Sequence, residues 1–200
     1  VSEWWTYRLR SFVLFSARTY DRLVEAYNGD LWPLQVPVLL AAAFALAWLL
    51  REHSVARDRV VLGALAAAWC SVAWAFEHRR FAAINWAADY AALLFAAQAV
   101  LLAGLAARGS IALRRDASAR DTAALTIALI GVTAYPLLTG GFGRPWVRAE
   151  VLAFMPAPTA LVTIGCLLLA KPLRTLPLIV PAGACVFEGA LLWALYAGRS

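Results

Sequence analysis

Residues 176–197 read LPLIVPAGACVFEGALLWALYA, and this stretch decides the class of the chain. A membrane-crossing helix needs about 20 predominantly apolar residues. Here one charged group, Glu188, interrupts the run. At ~1.5 Å per residue the stretch can cross a hydrocarbon core roughly 30 Å thick. Pro177 and Pro181 stand in its first turns. Prolines are tolerated in spans where neighbours re-satisfy the freed carbonyls, and they predict a kink. An acid in hydrocarbon is costly and seldom kept without a role, so Glu188 is the first candidate functional residue.

Working back from this run, residues 158–170, 122–139, 84–107, 60–76 and 31–50 are also apolar. The run at 158–170 is short, and that at 31–50 opens on Trp32-Pro33 with Pro37 close behind. The prediction is an all-α integral membrane bundle of about six transmembrane helices, with short loops at 77–81 and 171–175 making antiparallel hairpins. Composition agrees: 63% of residues are hydrophobic and 15% charged, with a mean hydropathy of +0.70. Soluble domains are about half apolar and about a quarter charged. The nine Trp suit the aromatic belts of membrane proteins.

Residues 1–30 form a separate amphipathic segment, leaving 31–200 as the six-span domain. After Ser16, a suitable N-cap, Tyr20, Leu23, Val24 and Tyr27 recur at helical spacing. Arg18, Asp21, Arg22 and Glu25 take the other positions. This helix either lies in the membrane interface or packs on the outside of the bundle. The start of the chain lacks the order of a signal peptide, so none is expected.

The net charge is +6, from 17 Arg and one Lys. The Arg residues sit in short loops between apolar runs, a pattern of membrane topology and not of nucleic-acid binding. Their distribution does not set orientation, because the two sides carry nine basic residues each.

Catalytic, metal and cofactor motifs are not found. Cys70, Cys166 and Cys185 fall in apolar runs without ligand spacing and read as small buried hydrophobes. His53 and His78 lie in consecutive loops on opposite faces, which argues against a paired-histidine metal or haem site. The glycine-rich stretch at 140–144 lacks the strand and helix of a phosphate loop.

Two groups of polar residues remain. Arg79, Arg80, Arg144 and Arg148 gather on one side with glycine-rich backbone and suit anions or lipid headgroups. Asn85, Asp89, Tyr135 and Glu188 are a candidate intramembrane polar cleft. Asn85 and Asp89 share a helix face, and Asp89 and Glu188 fall at similar depth if six spans cross.

Four strings stand out together: SEWWTYRLRSF at 2–12, RTYDRLVEAYN at 18–28, INWAADY at 84–90 and GRPWVRAEVLAFMPAPTALVTIG at 143–165. They resemble a family of uncharacterised bacterial integral membrane proteins, a domain of unknown function whose members are sometimes loosely labelled permeases. The resemblance implies a multi-pass protein of the bacterial inner (plasma) membrane and assigns no chemistry.

The sequence leaves three functions open. The first is a small permease or transport-associated protein, acting on a small anionic solute or a proton and compatible with a homo-oligomer. The second is a non-catalytic accessory or scaffold subunit. The third is an interfacial enzyme acting on an anionic or lipid substrate. The bilayer is the expected partner in all three.

Overall fold

A computed structural model describes residues 14–51, 53–141 and 145–196, and the chain is mostly helical. In order it forms α1 (Ala17–Leu31), α2 (Gln35–Leu49), α3 (Val55–Ser71), α4 (Ala88–Arg108), α5 (Ala119–Leu129), α6 (Tyr135–Gly141), α7 (Pro156–Leu168) and α8 (Leu176–Tyr196). Two short strands, β1 (Ala112–Leu113) and β2 (Ala170–Lys171), pair antiparallel. A π-helical stretch, Val72–His78, prolongs α3, and a second, Ile130–Ala134, joins α5 to α6.

Four helical stretches are long and apolar enough to cross a membrane: Val55–Ala83, Ala88–Arg108, Ala119–Leu138 and Leu176–Tyr196. The remaining two predicted spans differ from expectation. The run at 31–50 is broken at Trp32-Pro33, so that α1 and α2 meet at 83°. Only 15 residues follow in α2, and it reaches spanning length only when counted with α1. The cause is local, since proline removes an N–H donor and ends the helix that precedes it. The run at 158–170 forms the 13-residue α7, opened by Pro156. It is buried on nearly all sides, between α5, α8 and α3.

Around this centre the outward faces stay apolar. Leu40 and Phe44 of α2, Leu93 and Val100 of α4, and Val186 and Trp193 of α8 are all more than half exposed. Such a band is far larger than a soluble monomer carries, and a bilayer would cover it.

Close helix approach is set by glycine at two places. A Cβ on Gly165 would fall 2.5 Å from the Ala124 carbonyl oxygen and 2.6 Å from the Ala128 Cβ. One on Gly131 would fall 2.8 Å from Val162. Small residues at these crossings let α5 and its π-stretch lie against α7. Gly63 on α3, by contrast, faces open space.

Polar groups inside the bundle are placed to satisfy the backbone. Pro181 has no N–H, so the carbonyl of Pro177 one turn earlier lacks its helical partner. The side-chain amide of Gln98 on α4 donates to that oxygen at 2.9 Å. Gln98 is itself 1% exposed. Gln98→Leu is therefore expected to lower stability by about 1–3 kcal/mol, the cost of one orphaned buried acceptor, read as a fall in Tm in detergent. The Trp69 indole donates to Thr163 Oγ1 at 2.9 Å and ties α3 to α7 by a bond between side chains.

The connections gather at two ends. At one, here the first end, α1 lies across the bundle. Tyr20, Val24 and Tyr27 pack with Phe76, Phe81 and Met155. Ser16 caps α1 by accepting from the Thr19 N–H at 3.1 Å. Helix α1 thus packs on the bundle through its aromatic face. At the second end, the β1–β2 pair joins the 108–121 loop to the 170–175 loop. There the buried pair Arg57 and Asp58 holds the strand: Arg57 donates to the Leu113 carbonyl and Asp58 accepts from the Leu113 N–H at 3.1 Å.

Candidate functional site

Three buried acids from three parts of the chain lie toward the first end, two of them within electrostatic range of the third. Glu77 lies on the π-stretch that prolongs α3, Glu150 just beyond the short turn Trp146–Arg148, and Glu188 on α8. Each is 3% exposed. Glu188 lies within electrostatic range of both Glu150 and Glu77. Tyr135, at the start of α6, interacts with Glu150 and Glu188.

The backbone brings them there. A π-turn shifts the register of the side chains that follow it, and such turns are frequent at functional sites. One carries Glu77 and the other ends immediately before Tyr135. Glu150 is carried inward by residues 149–155, a non-helical stretch in which Val151, Leu152, Phe154 and Met155 are buried. Non-helical backbone at such depth is tolerated when enclosed by protein. Thr159 stabilises it, accepting from the Ala153 N–H at 2.9 Å and donating to the Met155 carbonyl at 2.7 Å.

The α1 helix covers the cluster. Tyr20 lies in the field of Glu188, Glu150 and Tyr135. Burial, and behind it those carboxylates, push its hydroxyl well above the ordinary tyrosine range. The cover is held by polar contacts on the other face of α1. Arg148 meets Glu25 at 2.6 Å and Asp21 at 3.0 Å. The Asn28 amide donates to the carbonyls of Val147 and Ala149 at 2.7 and 2.9 Å. Tyr196 at the end of α8 also donates to Asp21, and Arg80 pairs with Asp30. The hydrogen bond to Glu25, foremost, holds the Arg148 guanidinium above its usual range.

The Oε2 atoms of Glu77 and Glu188 have no hydrogen-bond partner among the described residues. No Arg, Lys or His pairs with either acid among those residues. Nor do any three His, Cys, Asp or Glu side chains among them lie close enough to hold a metal ion.

The predicted cleft is thus rearranged. Tyr135 lies in the field of Glu188, whereas Asn85 and Asp89 bond to other groups. Helix α4 begins at Ala88, so Asp89 sits in its first turn at the first end of the bundle, exposed. There it pairs with His78 Nδ1 at 2.8 Å. A carboxylate suits a helix N-terminus, whose partial charge is positive. Asn85 accepts from the Ala87 N–H at 3.2 Å and turns the chain into α4. Of the predicted anion contacts, Arg80 and Arg148 are engaged with acids of α1, Arg79 is exposed, and Arg144 lies outside the described residues.

In the sequence Glu77 and Glu150 read as loop residues beside the arginines of that side, and not as interior acids. One signal was available for Glu77: it directly follows the apolar run 60–76, and the helix simply continues through it. For Glu150 the apolar VLAFM that follows was the corresponding hint.

A family of unknown function (DUF6064) matches residues 17–195, from the first turn of α1 almost to the end of α8. The chain belongs to this family. The match takes in α1 together with the membrane-like helices, and so spans both the cover and the carboxylates beneath it. No curated protein and no solved structure matches the chain.

Proposed function

We propose that this DUF6064 member is a small proton-handling permease or transport-associated protein of the bacterial inner membrane. In this reading six segments pass between its two faces: α2, α3, α4, α5 with α6, α7 and α8. The proton site is the acid cluster under α1, with Glu188 at its centre and Glu77 and Tyr135 beside it.

The observation that carries this reading is Glu188 itself. It is buried, it has an oxygen without a partner among the described residues, and other acids lie in its field. A structural acid at this depth would be expected to meet a cation or several donors. A carboxyl group so placed suits a proton, which neutralises it without a further ligand. A divalent cation suits it less, since three ligands do not converge among the described residues. The first-end arginines favour a proton over an anionic solute, because Arg80 and Arg148 are already occupied by α1.

Two measurements test this. Reporter fusions after Arg57, Arg115 and Arg174 should report one compartment, and a fusion after Arg148 the other. Agreement between the Arg148 and Arg174 fusions would show that α7 does not pass through. In liposomes with an internal pH dye, the purified protein should dissipate an imposed pH gradient faster than empty vesicles do. Equal rates would end the proton reading.

A further inference from the structure

On the side of the bundle, α2 stands off from its neighbours along most of its length. Of its residues only Gln35 and Leu49 are buried. Between α2 and α3 runs an apolar crevice of about 490 Å³, open to the side. Its walls include Val38, Ala42 and Ala45 of α2 and Leu65 and Ala68 of α3, and its floor includes Phe154. The crevice reaches from Leu34 to Leu49, nearly the full length of α2.

At Leu49 it meets a second pocket, of about 370 Å³ and of opposite character. Leu49 lines both. The second pocket presents Arg51, Arg114 and Arg115. No acid among the described residues pairs with any of these three. The acids nearby are engaged elsewhere: Asp58 with Arg57 and with His53 at 2.8 Å, and Asp116 with Lys171 at 3.0 Å. The pocket wall is held in place, because Arg57 is buried and donates to the carbonyls of Arg51 and Leu113.

We infer that the α2–α3 crevice and this arginine pocket together bind one anionic diacyl phospholipid, with an acyl chain along the crevice and the phosphate among Arg51, Arg114 and Arg115. The two halves match the two halves of such a molecule in order and in sense. The apolar half lies along a helix with an exposed lipid-facing side. The cationic half sits where that helix ends. Arginine suits a phosphate because its planar fork can give two parallel hydrogen bonds. A free anion would use the pocket and leave the crevice empty. A zwitterionic lipid would fill the crevice and gain little from the charges. This site shares no residue with the proton site, so either can fail alone.

The test uses the full chain in a neutral detergent, with Tm followed during titration. Long-chain phosphatidylglycerol should raise Tm in a saturable way. Long-chain phosphatidylcholine, dihexanoyl phosphatidylglycerol and inorganic phosphate should each do so far less. The exposed pair Arg114→Gln/Arg115→Gln should keep the lipid-free Tm. It should need about thirtyfold more phosphatidylglycerol for half-saturation, as expected from the loss of two basic residues at about 1 kcal/mol each facing anionic lipid. Ala45→Leu narrows the crevice and should weaken the response to the long-chain lipid with every arginine intact. Phosphatidylcholine acting as well as phosphatidylglycerol would overturn the proposal. So would phosphate alone reproducing the effect, or either variant titrating like the wild type.

Discussion

Glu188→Gln is expected to stop proton movement while leaving the fold as stable as before, or more so. The amide keeps the size of the side chain and its capacity to hydrogen-bond, and it cannot exchange a proton near neutral pH. Because Glu188 Oε2 has no partner among the described residues, the substitution leaves no cation stranded among them. A charged acid near the middle of a span costs about 2.5–3.5 kcal/mol. Removing any share of that cost can only help the fold, and the other acids in range of Glu188 add to the gain through lost repulsion. The measurements are gradient dissipation in liposomes and Tm in detergent on the same preparations. Unchanged dissipation would take Glu188 out of the proton path. A marked fall in Tm would instead make it a structural acid with a partner, as in buried ion pairs where removing one member is strongly destabilising.

The features that can be read from the sequence are those fixed by runs of one chemical type. The long apolar helices, Ser16 as a cap and the helical spacing of Tyr20, Val24 and Tyr27 depend only on near neighbours, and all appear in the structure. The lengths of α2 and α7 were harder to read because hydropathy does not say where a helix starts. Trp32-Pro33 and Pro156 set those starts. Asp89 shows the same limit at the site. Counted from Arg80 along a continuous span, Asp89 falls in the interior, but the helix begins at Ala88 and leaves the acid exposed in its first turn. Glu77 moves the other way, since a π-stretch carries the helix past the end of the apolar run and takes the acid inside. The position of Glu188 was legible because the run continues well beyond it on both sides. Its neighbours were not, because they come from tertiary contacts between α3, the 149–155 stretch and α8. The use of Gln98 to satisfy the Pro177 carbonyl belongs to this class too, since nothing near Gln98 in the sequence shows that α8 has a missing donor opposite it.

Arg148→Ala should release α1 from the bundle and lower stability by about 2–3 kcal/mol, the largest loss expected from one substitution at the first end. The reason lies in what remains behind. Asp21 is 6% exposed, and with Arg148 gone it keeps the Tyr196 hydroxyl without this cation, while Glu25 loses its bond of 2.6 Å. The loss stays below that of a fully buried pair because the Arg148 side chain is 25% exposed, so water reaches part of the site. Hydrogen exchange should show the effect where it arises. Protection should fall along Ala17–Leu31 and stay high in α7, whose contacts lie deeper in the bundle. Adding Asp21→Asn and Glu25→Gln to Arg148→Ala removes the two charges that Arg148 had faced and should restore part of the Tm. The Asn28 bonds to Val147 and Ala149 remain in every one of these variants. If α1 keeps its protection in Arg148→Ala, those bonds and the packing of Tyr20, Val24 and Tyr27 are enough to hold the cover, and the ion pairs serve orientation alone. If protection is lost while Glu188 still moves protons at the wild-type rate, α1 is a structural lid and not part of the proton route. Faster gradient dissipation in Arg148→Ala than in wild type would make α1 the barrier between the carboxylates and water at the first end.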